Sequence, residues 1–162
     1  MTARGLGAAR SGDYPKRMIA DILRQLLAPA PTRLPEPDAR LALAALLVRL
    51  ARTDGLYSVE EVERIDRVLA KRHGLGPFEA ADLRAEAEAL EIAAPDTVRF
   101  TRALKAAVPV EDRAGLLESL WWVAMADGLR DDDEDRLMRL VANLLGLSDV
   151  ESALARRRAE QV

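Results

Sequence analysis

Two aspartates fall where a helix least favours negative charge. Ala51-Arg52-Thr53-Asp54-Gly55-Leu56 reappears as Ala124-Met125-Ala126-Asp127-Gly128-Leu129, and a glutamate follows each aspartate at the same interval, Glu61 and Glu134. Helical spacing of the preceding apolar residues puts Asp54 and Asp127 at helix C-terminal ends. Unpaired carbonyls there already carry partial negative charge, so a carboxylate is disfavoured by about 0.3–1 kcal/mol. Two kinds of compensation fit. Each aspartate can accept N–H groups of its own turn. Alternatively, the aspartates, nearby carbonyls and the downstream glutamates can supply hard oxygen ligands to Ca2+ or Mg2+. The ligand set would then be Asp54, Glu61, Asp127, Asp131 and Glu134. The second copy, with Asp131, Asp132 and Asp133, reads as the better cation site; Ser58 and Val59 make the first poorer. In each copy Gly follows Asp directly, which is not EF-hand spacing.

The residues around the aspartates have architectural explanations. Gly55 and Gly128 suit the left-handed stop after a helix. Ser58-Val59-Glu60-Glu61 has the form of a capping box, and Asp131 with Glu134 offers a similar start.

Little other chemistry is available. There is no cysteine, which removes disulfides, thiolate zinc sites and thiol nucleophiles and fits a reducing cytoplasm. His73 is the sole histidine, so multi-histidine metal centres are excluded. It falls in the last turn of a helix, where a partly charged imidazole would suit the dipole. No nucleophile elbow, Walker loop or dinucleotide-binding glycine pattern occurs. A hydrolase built on carboxylates and a metal is the remaining enzymatic alternative, and the expectation is a non-enzyme. The net charge of −3, from 24 basic and 27 acidic residues, gives no basic field for nucleic acid. Arg156-Arg157-Arg158 reads as charge complementing a helix C-terminus.

These residues need helices to position them. Of the 162 residues, 49% are hydrophobic but only 4% aromatic, a balance that favours helices over strands. No run of about 18 apolar residues exists to span a membrane. Residues 1–17 read as a disordered extension without a secretory h-region, and Met18 could be the natural start. Met18-Ile19, Ile22-Leu23 and Leu26-Leu27 mark an amphipathic helix, and Pro29, Pro31, Pro35 and Pro37 a linker, together 18–37.

From Asp38 onward, residues 38–162 form one helical domain of seven helices. They are expected over 38–53, 58–73, 77–90, from Asp96 to before Pro109, over 110–126 and 131–145, and from Ser148 into the basic tail. Leu43, Leu47 and Leu50 match Leu116, Leu120 and Val123, and Gly74-Leu75 matches Gly146-Leu147. The expected fold is an all-α, seven-helix bundle of two pseudo-symmetric helical repeats sharing one core. Trp121 and Trp122 point about 100° apart, so both are covered only if their helix is central.

The duplicated segments "ARTDGLYSVEEVERI" and "AMADGLRDDDEDRLM" resemble the A-x-x-D-G-x-x-x-x-x-E signature of TerB-like (tellurite resistance protein B) proteins, over roughly residues 39–154. The resemblance implies an all-helical bacterial cytoplasmic protein associated with tellurite resistance and wider stress responses. It implies acidic metal-binding positions at Asp54, Glu61, Asp127 and Glu134. It also implies work beside a membrane-integral TerC-type partner, bringing membrane association through that partner. A metal-independent interaction adaptor is the alternative. Oligomeric state is left open.

Overall fold

The segment Leu41 to Leu50 is apolar almost without interruption, so a helix formed from it can be stable only if covered on every side. The computed structural model, which describes residues 37–128 and 131–162, shows this. Helix α1 (Ala39–Arg52) begins where the Asp38 side chain accepts the Leu41 N–H at 2.8 Å. Its residues Ala42 to Val48 are all buried. Around it pack α2 (Val59–His73), α3 (Pro77–Ala93), α4 (Thr97–Ala107), α5 (Arg113–Ala124) and α6 (Asp132–Leu144); α7 (Asp149–Ala159) packs on α5 and α6. All seven expected helices are present, and no strand occurs among the described residues. The expected extension 1–17, the amphipathic helix and the linker up to Glu36 lie outside them.

Local chemistry sets the boundaries. Ser58 and Glu61 close a reciprocal capping box on α2, as do Ser148 and Glu151 on α7. Pro77 occupies the start of α3, where its missing N–H costs nothing. Two boundaries differ from expectation. The helix expected over 110–126 opens with a separate 3-10 turn, Val110–Asp112, and its α-helical part ends at Ala124. Helix α3 continues past Leu90 to Ala93.

Leu43, Leu46, Leu47, Ile65, Phe100 and Leu120 are among the largest fully buried side chains, in one core drawn from both halves of the sequence. Burying each such side chain contributes roughly 1.5–3 kcal/mol. Polar ties join α1 to the helices around it. Arg52 pairs with Glu91 at 2.9 Å, and Arg49 Nε donates to Thr97 Oγ1 at 2.7 Å.

Both Asp-Gly turns are hydrogen-bonded alike. Thr53 N–H donates to Leu50 O and Gly55 N–H to Arg52 O; correspondingly, Ala126 N–H donates to Val123 O and Gly128 N–H to Met125 O. Gly55 and Gly128 have φ of 78° and 71°, in the left-handed region that a side chain resists.

Candidate metal centre

The first turn is held from behind by Tyr57. Its hydroxyl donates to Glu88 Oε1 at 2.7 Å, and the Arg52 guanidinium lies 5.2 Å from its ring centre. Arg84 bridges Glu88 on α3 and Asp66 on α2, at 2.8 and 2.6 Å. The turn leading to Asp54 is thereby tied to two helices. Asp54 Oδ1 accepts the Leu56 N–H at 2.8 Å, so part of the compensation expected for this aspartate is local.

The glutamates turn inward. Glu61 is 0% exposed and Glu134 4%. Glu61 Oε2 accepts the Ser58 N–H at 2.8 Å as its half of the capping box, but Oε1 is buried without a hydrogen-bond partner. Glu134 Oε1 is likewise buried and unpartnered. The expected resemblance between the two helix starts therefore stops halfway. Asp131 Oδ1 caps α6, accepting from Asp133 N–H at 2.7 Å and Glu134 N–H at 3.4 Å, whereas no reciprocal box involving Glu134 forms. An unpartnered buried carboxylate oxygen costs at least 1–3 kcal/mol by order of magnitude.

Sequence spacing reads as two separate sites of unequal quality. The structure merges them. One carboxylate oxygen each from Asp54, Glu61 and Asp127 lie within 4.8 Å of one another. Asp54 and Glu61 come from the first copy of the motif and Asp127 from the second. The helices that carry them meet at the shared core, and the turns converge at one end of it. Glu134 and Asp131 join electrostatically. Burial pushes the Glu134 carboxyl up to about 8, and Asp54, Asp127, Glu61 and Asp131 add to the rise. Burial also raises Glu61, opposed by its Ser58 hydrogen bonds and reinforced by Asp54 and Asp127. The geometry thus brings together Asp54, Glu61 and Asp127, while Glu134 and Asp131 are linked to them through charge.

The geometry suits a hard cation. Ca2+ binds oxygens at about 2.4 Å, so ligands on opposite sides stand about 4.8 Å apart. The triad lies within that limit. A cation held by the triad would give the Glu61 carboxylate a partner and relieve the mutual repulsion of the carboxylates.

A feature with no signal in the sequence is the cleft beside this locus. It has a volume of about 220 Å3 and is lined by Asp131, Glu134, Trp121, Met125 and Arg156, among others. Arg156 sits 5.1 Å from the Trp121 ring centre. Trp121 is buried, and its Nε1 donates to Ser152 Oγ at 3.4 Å. Only the packing of α7 on α5 brings these groups to the acidic residues. Burial, with Arg40 and Arg72 nearby, lowers the pKa of His73, and Asp38 opposes the shift.

An all-helical chain whose duplicated Asp-Gly turns converge on a partly buried carboxylate cluster belongs to the class of small helical modules with an acidic centre. The family model for tellurite resistance protein TerB matches residues 40–157, most of the chain, and the chain belongs to the TerB family. No curated protein and no solved structure matches it. Among the described residues, no helix is long and apolar enough to cross a membrane.

Proposed function

We propose that this chain is a non-enzymatic TerB module of tellurite resistance and stress response. It binds one divalent cation, Ca2+ or Mg2+, through Asp54, Glu61, Asp127, Asp131 and Glu134, and acts with a TerC-type membrane partner in the cytoplasm. The observation that carries the cation is Glu61 Oε1. It is buried, has no hydrogen-bond partner, and belongs to a residue whose carboxylate closes a tight triad with Asp54 and Asp127. The non-enzymatic reading rests on the sequence, which has a single histidine, no cysteine and no nucleophile-elbow, Walker or dinucleotide-binding pattern.

Scanning calorimetry tests the cation. At a hundredfold excess over Kd, Ca2+ stabilises the fold by about 2.7 kcal/mol, and Asp127→Asn removes most of that gain. An unchanged melting temperature in millimolar Ca2+ and Mg2+ would refute it. A screen with generic phosphate esters and nucleic acid tests the absence of catalysis.

A metal-independent adaptor is the second reading. It is supported by Leu56 and Val59, 67% and 69% exposed beside the first turn, which offer apolar contact to a partner. Capture of a TerC-type membrane protein that survives chelator would favour it; capture that needs Ca2+ would favour the first.

A further inference from the structure

A second, wider cleft shares no lining residue with the acidic locus. It lies between α2 and α5, has a volume of about 520 Å3, and is lined by Arg67, Lys71 and Arg72 from the first and Glu118, Ser119 and Trp122 from the second, among others. That volume falls in the range of about 300–1,000 Å3 typical of small-molecule sites.

Its charge is unbalanced. Of its lining side chains, three are cationic and one, Glu118, is a carboxylate. None of the three joins an ion pair among the described residues. Arg72 is anchored by donating from Nε to Ser119 Oγ at 3.2 Å, which leaves its terminal nitrogens for another acceptor. Packing around the guanidinium pulls its pKa below the ordinary arginine value; Asp112 and Glu118 oppose this without cancelling it. The cleft also has a fixed aromatic wall. Arg64 NH1 donates to the Trp122 carbonyl at 2.6 Å, and its guanidinium lies 4.8 Å from the Trp122 ring centre, which holds that indole in place. Val68 adds apolar surface.

We infer that this cleft binds a phosphate monoester carried on an apolar or aromatic body. A phosphate monoester bears close to two negative charges near neutral pH. The excess of cationic side chains over Glu118 favours such a group, and a planar guanidinium can engage two of its oxygens. Trp122 and Val68 receive the body. The monoester could be a free metabolite or the headgroup of a phosphatidic-acid-type lipid.

The test uses the full chain in chelator, so that the acidic locus takes no part. Amide shifts are followed by NMR with phenyl phosphate, inorganic phosphate and uncharged phenol as probes. Sedimentation with phosphatidylcholine vesicles, with and without phosphatidic acid, distinguishes the lipid source. Phenyl phosphate is expected to bind with Kd below about 1 mM, shifting residues 67–72 and 115–122 and binding more tightly than either inorganic phosphate or phenol. Arg72→Met should weaken binding at least about tenfold, the loss of roughly one charge-assisted contact. The double variant Arg67→Gln with Lys71→Gln, at two exposed positions, should do the same with the fold retained. Vesicle binding that needs phosphatidic acid and is lost in the double variant would assign the lipid. The inference is overturned if no probe shifts these amides at about 10 mM, or if binding is unchanged in both variants while their spectra remain those of a folded protein.

Discussion

Glu61 and Asp127 come from different copies of the duplicated motif, yet their carboxylate oxygens lie within 4.8 Å of each other, with Asp54 closing the triangle. The relationship determines stoichiometry. Two independent motif sites would take up two ions; one shared locus takes up one. Titration calorimetry with Ca2+ should give one ion per chain. Glu61→Gln in the first half and Asp127→Asn in the second should each abolish that single event. Two ions, or a loss of half the heat per variant, would contradict the merged site.

The raised Glu134 carboxyl predicts an unusual pH profile for the metal-free protein. Its folded pKa, about 8, lies above the ordinary value of 4.5. The folded state therefore holds the proton more tightly than the unfolded chain. The associated stability is complete below about pH 4.5 and is lost as pH rises towards 8. Urea unfolding in chelator should show wild type losing stability over this window relative to Glu134→Gln, with a difference in slope approaching about 1.4 kcal/mol per pH unit. Saturating Ca2+ should suppress that difference.

Leu47 is 0% exposed at the middle of α1, the helix on which most of the bundle packs. Leu47→Ala should cost about 2–5 kcal/mol by chemical denaturation, the usual range for a fully buried leucine. The exposed Leu140 on α6 is the control; Leu140→Ala should change stability by no more than about 0.5 kcal/mol.

The capping box on α2 does two jobs, since Glu61 both caps Ser58 and faces the acidic locus. Ser58→Ala should cost about 1 kcal/mol of stability and, with the Glu61 backbone less constrained, weaken Ca2+ binding. Ser148→Ala removes the equivalent cap on α7, with a similar stability cost and no effect on Ca2+. Paired melting curves and Ca2+ titrations separate the two.

Gly128 has φ of 71° with open space where a side chain would go. Gly128→Ala should therefore cost only the backbone strain, about 1–2 kcal/mol, without a clash. Thermal unfolding should show the same modest loss for Gly55→Ala, at φ of 78° in equally open surroundings.

Helix type and sequence extent were legible because their causes are local. Apolar spacing, Asp38, Ser58 and Ser148 as caps, and Gly55 and Gly128 as stops act within a few residues of chain. Element ends are less sharply specified, and the boundaries after Pro109 and Leu90 differ from expectation by a few residues. The acidic residues could be named for a related reason. A carboxylate at a helix C-terminus conflicts with its own backbone, and that conflict is written in the sequence.

Tertiary structure alone decided that Asp54, Glu61 and Asp127 form one locus and that Glu134 gives up its capping role. It alone brought Arg67, Lys71 and Arg72 against Trp122. These outcomes depend on helices far apart in sequence meeting across a common core. Helical periodicity fixes which face of each helix is apolar, but not which partner covers it or what the polar edges of two packed helices then bring together.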